Sequence, residues 1–261
     1  MNFICNIIES PPDKRDFIFS SENTEIPEVL DYRPDLHPVR NQGSQGTCYA
    51  QSAACAKEWL EKKDYGFNEY FSPQFFYDNR SNKYDDKTNN DAGMFGRDVM
   101  KLLKNVGICR EQVYPYGSIK HRENIPLEIY KEAECHTIKS YARINDLDNL
   151  KKSLFKNGPC LIAFPTFNYT SEFWRERPGD SRKGGHAVTV VGYNKDGFII
   201  RNSWGKSWAD NGYTIYPYSQ WGSHWEIWTT IDKESDIPLD DEPKDNDDIS
   251  DKNRYRCCVI V

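Results

Sequence analysis

The sequence has no apolar run long enough to span a bilayer, and its first residues lack the basic start and long apolar stretch of a secretory signal peptide. It has no basic cluster of the kind that binds nucleic acid. Its histidines and cysteines lack the spacing of metal ligands, and its acidic stretch lacks the glycine and spacing of a calcium loop. These absences argue against a membrane-spanning protein, a nucleic-acid-binding protein and a metalloprotein, and we expect no cofactor.

The eight cysteines are not spaced as a disulfide framework. If one of them is catalytic, the remaining seven cannot all pair. We therefore expect an intracellular or other reducing compartment. Four cysteines are expected to be buried core residues: Cys55, Cys109, Cys135 and Cys160.

The net charge of −6 is concentrated near the C-terminus. Residues 232–251 contain ten Asp or Glu and two Lys, a net charge of −8, which leaves +2 for the rest of the chain. We predict that residues 236–261 form an acidic, flexible tail. Its last residues have the shape of a prenylation signal at Cys258, with Cys257 beside it. The terminal valine and the acidic residues upstream argue against lipidation, and we expect membrane association only if these cysteines are modified.

Hydrophobic residues make up 38% of the chain and aromatic residues 14%, which is enough for a packed globule. Helical periodicity dominates the first half, whereas the second half contains short strand-like runs separated by turns. This order predicts an α+β protein with a mainly helical lobe, a β-rich lobe and a site in the cleft between them. The predicted parts are an N-terminal leader (1–27), a helical lobe (28–112), a β-rich lobe (113–235) and the tail (236–261).

A glycine-containing loop, residues 38–47, leads into Cys48 and then into a helix-forming segment, residues 50–61. Unpaired backbone N–H groups and the helix dipole favour negative charge at a helix N-terminus. A thiol in that position loses its proton more easily and becomes a nucleophile. The sequence therefore predicts a reactive Cys48.

Two later segments could supply partners for this thiol. His186 begins an apolar strand-like run, and Asn202 follows the next run, with a short turn between the two. A hairpin of this kind would place the two side chains next to each other. A cysteine–histidine pair allows proton transfer to give thiolate and imidazolium, and an asparagine carbonyl fixes the orientation of the imidazole.

These segments resemble the signatures of the papain-type cysteine peptidases, and the resemblance covers most of residues 28–232. His186 and Asn202 follow Cys48 by 138 and 154 residues, a separation similar to that in this family. The matching blocks are residues 31–33, 38–52, 185–187 and 202–205. The resemblance implies a papain-like two-lobe fold, with a helical lobe carrying the cysteine and a sheet or barrel-like lobe carrying the histidine and asparagine.

The resemblance also implies a role for each matching residue. Cys48 would be the nucleophile, and His186 the general base and then the general acid, oriented by Asn202. Gln42 would donate its side-chain amide to the oxyanion, together with the backbone N–H of Cys48. Trp204 would shield the contact between His186 and Asn202 from water. The expected substrate-binding residues are Gly93, Met94, Ala163, Gly184, Gly185 and Trp204.

The sequence departs from the family pattern in three places. Gln45 stands where the family usually has a disulfide-bonded cysteine, and Tyr49 replaces the commoner tryptophan. The leader is short and has no helical pattern, and in this it is similar to the xylellain-like microbial branch. We hypothesise that part of residues 1–27 occupies or borders the active-site groove and restrains activity. The alternative is a leader docked on the outer surface.

The leading functional hypothesis is a cysteine peptidase that acts on peptide or protein substrates through an acyl-enzyme. An acyl transferase or transglutaminase is an alternative, because a Cys–His–Asn site runs the same half-reaction with a different acceptor. A catalytically inactive peptide-binding relative is a second alternative, although the four intact catalytic positions argue against it.

Overall fold

The computed structural model of the chain describes residues 3–22, 24–80, 91, 93–117, 120 and 122–232. The predicted tail, with Cys257 and Cys258, lies outside the described residues. The helices are α1 (Cys48–Tyr65), α2 (Pro73–Asp78), α3 (Gly96–Asn105), α4 (Leu127–Ala133) and α5 (Leu147–Asn157). The strands are β1 (Leu30–Asp31), β2 (Ser140–Arg143), β3 (Cys160–Thr166), β4 (Gly184–Tyr193), β5 (Gly197–Arg201), β6 (Tyr213–Pro217) and β7 (Glu226–Ile231). No helix in the described ranges is long and apolar enough to cross a membrane.

Capping residues in the sequence account for some of the helix boundaries. Ser72 accepts a hydrogen bond from the Phe75 N–H at 2.9 Å, and Pro73 occupies the first position of α2. Helix α1 is longer than the predicted segment 50–61 at both ends, since it begins at Cys48 and continues to Tyr65. It ends before Gly66, whose φ of 69° is the left-handed conformation that terminates many helices.

The strands form one antiparallel sheet in the order β2-β7-β3-β4-β5-β6, with β1 paired along β4. The α+β class is confirmed. The barrel-like lobe is an open sheet, since β2 and β6 form its two ends among the described strands. Helix α4 and strand β2 have seven and four residues, which is too short to show a clear apolar period in the sequence.

Helix α1 packs against the sheet, and this contact sets the position of Cys48. Ala50 and Ala53 are fully buried in a core that also contains Leu161 of β3 and Ala187 of β4. Small side chains on α1 allow the helix to approach the strands closely. The first turn of α1 and the beginning of β4 are thereby brought into one apolar cluster.

Three of the four cysteines expected in the core are buried: Cys55, Cys109 and Cys160. All three are free thiols. The prediction is wrong for Cys135, which is only half-buried and lies in the short turn after α4.

Candidate active site

Cys48 is the first residue of α1 and is fully buried. Thr47, the residue before it, makes no side-chain hydrogen bond to the helix end. Its hydroxyl instead forms a 2.8 Å hydrogen bond with the hydroxyl of Tyr116. The first backbone N–H groups of α1 therefore have no side-chain cap, and together with the helix dipole they favour a thiolate or an oxyanion here.

The hairpin of β4 and β5 brings His186 and Asn202 together. The Nε2 atom of His186 lies 2.7 Å from the Oδ1 atom of Asn202. Because an amide oxygen only accepts hydrogen bonds, Nε2 carries the proton and Nδ1 is the basic nitrogen. Nδ1 has no hydrogen-bond partner within the described part of the chain. Trp204 stacks on the imidazole with a centroid separation of 4.3 Å.

Gln42 is held at both ends of its side-chain amide. Its Oε1 atom accepts a hydrogen bond from the Ser203 hydroxyl at 2.7 Å, and its Nε2 atom donates to the Gln45 carbonyl oxygen at 2.9 Å. The same nitrogen donates to the carbonyl oxygen of Ile4, a leader residue, at 3.4 Å. A fixed donor that already faces a peptide carbonyl has the geometry required to stabilise an oxyanion.

The leader covers these side chains. Phe3 stacks on Trp204 with a centroid separation of 4.7 Å, and the Tyr169 hydroxyl donates to the Phe3 carbonyl oxygen at 3.2 Å. With the leader in place, none of the four predicted catalytic residues exposes more than 2% of its surface: Gln42, Cys48, His186 and Asn202. A substrate therefore has no access to them in this conformation.

A short β-bridge attaches the leader to the strand that carries the histidine. The Gly185 N–H donates to the Cys5 carbonyl oxygen at 3.1 Å, and the Ile7 N–H donates to the Gly185 carbonyl oxygen at 3.3 Å. The bridge is parallel and is centred on Asn6 and Gly185. The leader is thus hydrogen-bonded to both backbone groups of Gly185, one of the predicted substrate-binding residues.

Two other predicted binding residues are glycines at which the leader backbone approaches closely. A Cβ atom at Gly184, with φ of 130°, would overlap the Cys5 carbonyl oxygen. A Cβ atom at Gly93, with φ of 74°, would lie 2.7 Å from the Asn6 carbonyl oxygen. The Gly93 N–H is already bonded to the Tyr77 hydroxyl at 3.0 Å. The Gly93 N–H is therefore not free to pair with a substrate backbone, and the space beside Gly93 holds the leader backbone.

Two other predicted binding residues are buried together with a leader side chain. Met94 and Ala163 are buried in one cluster with Ile7 and with Cys48 itself. Ile7 is only 3% exposed, whereas its neighbour Ile8 is 53% exposed. A buried leader side chain and the nucleophile thus belong to the same apolar cluster.

Burial also changes the ionisation of the two reactive groups. Desolvation raises the pKa of Cys48 to about 12, partly offset by a hydrogen bond with the Ala187 backbone. Desolvation lowers the pKa of His186 to about 4, partly offset by the hydrogen bond with Asn202. While the leader is docked, the favoured forms are a neutral thiol and a neutral imidazole.

The profile of the papain family cysteine proteases matches residues 26–240. The matched region contains Gln42, Cys48, His186 and Asn202. This chain belongs to the papain family.

The structure and the sequence are similar to those of several members of the family. The crystal structure of xylellain, a cysteine protease from Xylella fastidiosa, matches with a TM-score of 0.78 and 27% identity, covering 88% of this chain and 96% of that chain. An uncharacterized peptidase C1-like protein of Acanthamoeba polyphaga mimivirus is 27% identical, over 81% of this chain and 80% of the viral protein. A cathepsin L-like peptidase of Aedes aegypti is 32% identical, over 73% of this chain and 59% of the mosquito protein. The papain-like fold and the resemblance to xylellain are confirmed.

Hydrogen bonds occupy the place where the family has a disulfide. The Gln45 side chain donates to the Gly117 carbonyl oxygen, and the Gly46 N–H donates to both carboxylate oxygens of Asp91 at 2.8 Å. Asp91 also accepts from the Tyr77 hydroxyl. The sequence shows the departure at Gln45, but Asp91 and Tyr77 are distant in sequence and carry no signal for this role.

Sequence reasoning missed Glu226, which explains the tyrosine that follows the nucleophile. The Tyr49 hydroxyl donates to Glu226 Oε1 at 2.7 Å, and both residues are buried. Glu226 is the register partner of Ala163, so its carboxyl group is held next to a predicted substrate-binding residue. An acidic residue at the start of an apolar strand was the signal that could have identified it.

Replacing Tyr49 with phenylalanine should lower the free energy of unfolding by about 1–3 kcal/mol, since it leaves a buried carboxyl oxygen without its donor. Denaturant unfolding measures this change. Glu226→Gln and the double variant complete a double-mutant cycle, and a coupling free energy near zero would contradict the pairing.

Proposed function

We propose that this chain is a cysteine peptidase that hydrolyses peptide bonds through an acyl-enzyme on Cys48. The 2.7 Å contact between His186 and Asn202, beside a cysteine at the start of α1, carries this proposal. The contact fixes the tautomer that leaves Nδ1 available to take the thiol proton. Membership of the papain family supports the same reaction.

In the proposed reaction, His186 Nδ1 takes the proton of the Cys48 thiol, and the thiolate attacks the carbonyl carbon of the peptide bond. The oxyanion that forms accepts hydrogen bonds from Gln42 Nε2 and from the Cys48 backbone N–H. The imidazolium then gives its proton to the departing amine, which leaves a thioester on Cys48. Water, deprotonated by His186, hydrolyses the thioester and restores the thiol.

Product analysis tests whether water is the acceptor. The chain is incubated with a peptide library and an added primary amine, and the products are identified by mass spectrometry. Peptides that end in a free carboxylate support hydrolysis. Products in which the amine is joined to the acyl fragment as the main species would favour an acyl transferase instead.

Replacing Gln42 with alanine should reduce kcat by about 10²–10³-fold, the usual effect of removing one oxyanion donor. Steady-state kinetics on a small peptide substrate measures the loss. Gln45→Ala is the matched control, since it removes a neighbouring amide while leaving the carbonyl oxygen that holds Gln42. Equal losses in the two variants would count against an oxyanion role for Gln42.

We further propose that the leader holds this site closed. Its Ile4 carbonyl oxygen takes the Gln42 donor, and its Ile7 side chain is buried in the apolar cluster that contains Cys48. The leader is attached a second time at Asp16, which pairs with Arg97 of α3 at 2.6 Å in a largely buried contact. Attachment at both places supports a leader that must be released before a substrate can bind.

Acid should release the leader from a Cys48→Ala chain, in which no thiol can supply a proton to the imidazole. The docked form keeps His186 neutral, with a pKa of about 4, whereas a released imidazole takes up a proton below its usual pKa of 6.5. Between pH 6.5 and pH 4 the released form therefore binds more protons, and docking weakens as the pH falls, by up to about tenfold per pH unit.

Hydrogen–deuterium exchange at the Ile7 amide, corrected for the intrinsic pH dependence of exchange, measures this effect. The same variant with His186→Gln has no imidazole to titrate, so its protection should change much less over this range. A pH dependence that survives the histidine replacement would assign it to other groups.

A further inference from the structure

The described structure has a groove on the outer side of the leader, with a volume of about 270 Å³. The leader, through Asp13, Arg15, Asp16 and Phe17, forms one wall and α3 forms another, and Ser140 and Tyr141 of β2 also line the groove. None of the residues that line the groove belongs to the active site described above. The groove is therefore a separate surface that shares only the leader with that site.

The groove has an excess of positive charge. Its two carboxylates are already paired, Asp13 with Arg15 at 2.8 Å and Asp16 with Arg97 at 2.6 Å. Two further cations in its lining, Lys101 and Lys104, are exposed and make no ion pair with the residues that the structure describes. They are three residues apart on α3 and so lie on one face of the helix. This pair leaves the groove with a net charge of +2, which suits an anionic ligand.

We propose that this groove binds the chain's own acidic segment, residues 236–251. That segment has eight Asp or Glu and one Lys, a net charge of −7. Opposite charge at this density favours association, and it does so most at low ionic strength.

The position of the last described residues supports this occupant over an external one. Ile231 pairs with Ser140, which lines the groove, and Asp232 accepts hydrogen bonds from Lys57 Nζ at 3.2 Å and from the Lys139 N–H at 3.1 Å. The chain thus leaves the sheet beside the groove. Four residues reach at most about 14 Å, which brings residue 236 to the groove, and a short tether gives an effective concentration in the millimolar range.

A ligand that contacts both walls of the groove binds only while the leader is docked. By mass action, such a ligand stabilises the docked leader. The acidic segment would then strengthen closure of the active site from a distance. This effect on activity rests on the proposed function, whereas binding in the groove does not.

Zero-length carbodiimide crosslinking of the full Cys48→Ala chain, mapped by mass spectrometry, tests the binding directly. We expect Lys101 or Lys104 to be joined to carboxylates of residues 236–251 at low salt, with loss of these crosslinks at about 0.5 M salt. The exposed Lys131 and Lys195 are the internal controls. Tail crosslinks to these controls as frequent as those to α3 would overturn the proposal. Crosslinks that form only between isotopically light and heavy copies would overturn it as well.

Charge-neutral variants test the coupling to the leader. Lys101→Gln with Lys104→Gln should reduce exchange protection of the Ile7 amide by about threefold or more. A variant of the acidic segment should show the same reduction in protection, because it removes the charges that the groove would bind. This variant replaces four aspartates with asparagine: Asp240, Asp241, Asp245 and Asp247. Lys131→Gln with Lys195→Gln should leave protection unchanged. Unchanged protection in both of the first two variants would contradict the coupling, and because exchange does not require catalysis, it would do so whether or not the chain cleaves peptides.

Discussion

Cleavage of peptides is expected to fall by roughly a million-fold in kcat when Cys48 is replaced by alanine, the scale seen when a catalytic triad loses its nucleophile. The reason is chemical: no other described residue offers a thiol at the start of α1, where backbone N–H groups and the helix dipole favour a thiolate. A small peptide substrate with a fluorescent leaving group measures the loss.

Cys55→Ala is the matched control, because it removes a second buried thiol from the same helix. This variant should keep its turnover within a fewfold of the wild type, although its stability will fall. Comparable losses in both variants would show that the loss at position 48 comes from damage to α1 and not from a missing nucleophile.

Replacing Ile7 with aspartate is expected to raise turnover by up to about 100-fold. The aliphatic side chain is buried in the apolar cluster that contains Cys48, and its loss together with burial of a charge weakens docking by about 3 kcal/mol or more. A released leader frees the Gln42 donor and uncovers the apolar residues that pack on Ile7, so that a substrate can bind there. Initial rates on a small peptide, before any self-processing, measure the gain.

Ile8→Asp is the control for this prediction. The Ile8 side chain is 53% exposed and adjoins the same bridge, so the same charge is added without disturbing the buried cluster. Its rate should match that of the wild type. A leader that only packs on the outside of the fold would give no gain in either variant.

The residues that sequence reasoning could place are those whose role depends on local context. Cys48 precedes a helix-forming run, and His186 and Asn202 lie on a hairpin with a short turn, so local rules bring these side chains to definite positions. Ser203, which holds the Gln42 amide, could also have been inferred because it follows Asn202 directly.

Other parts of the site depend on contacts between distant segments. The path of the leader over the site is set by its bridge to Gly185 and by the burial of Ile7, and neither has a periodic pattern in the sequence. The pairing of Tyr49 with Glu226 joins residues 177 positions apart. Such contacts are decided by tertiary packing, which propensity and periodicity do not encode.

Cleavage of a peptide library by four full-length chains tests the central claim, a Cys48 peptidase restrained by its own leader, most directly. The chains are the wild type, Ile7→Asp, Cys48→Ala and the double variant, with products counted by mass spectrometry over time. We predict faster cleavage by Ile7→Asp than by the wild type, and none by the two chains that lack Cys48. Cleavage by the double variant, or no difference between Ile7→Asp and the wild type, would contradict the account.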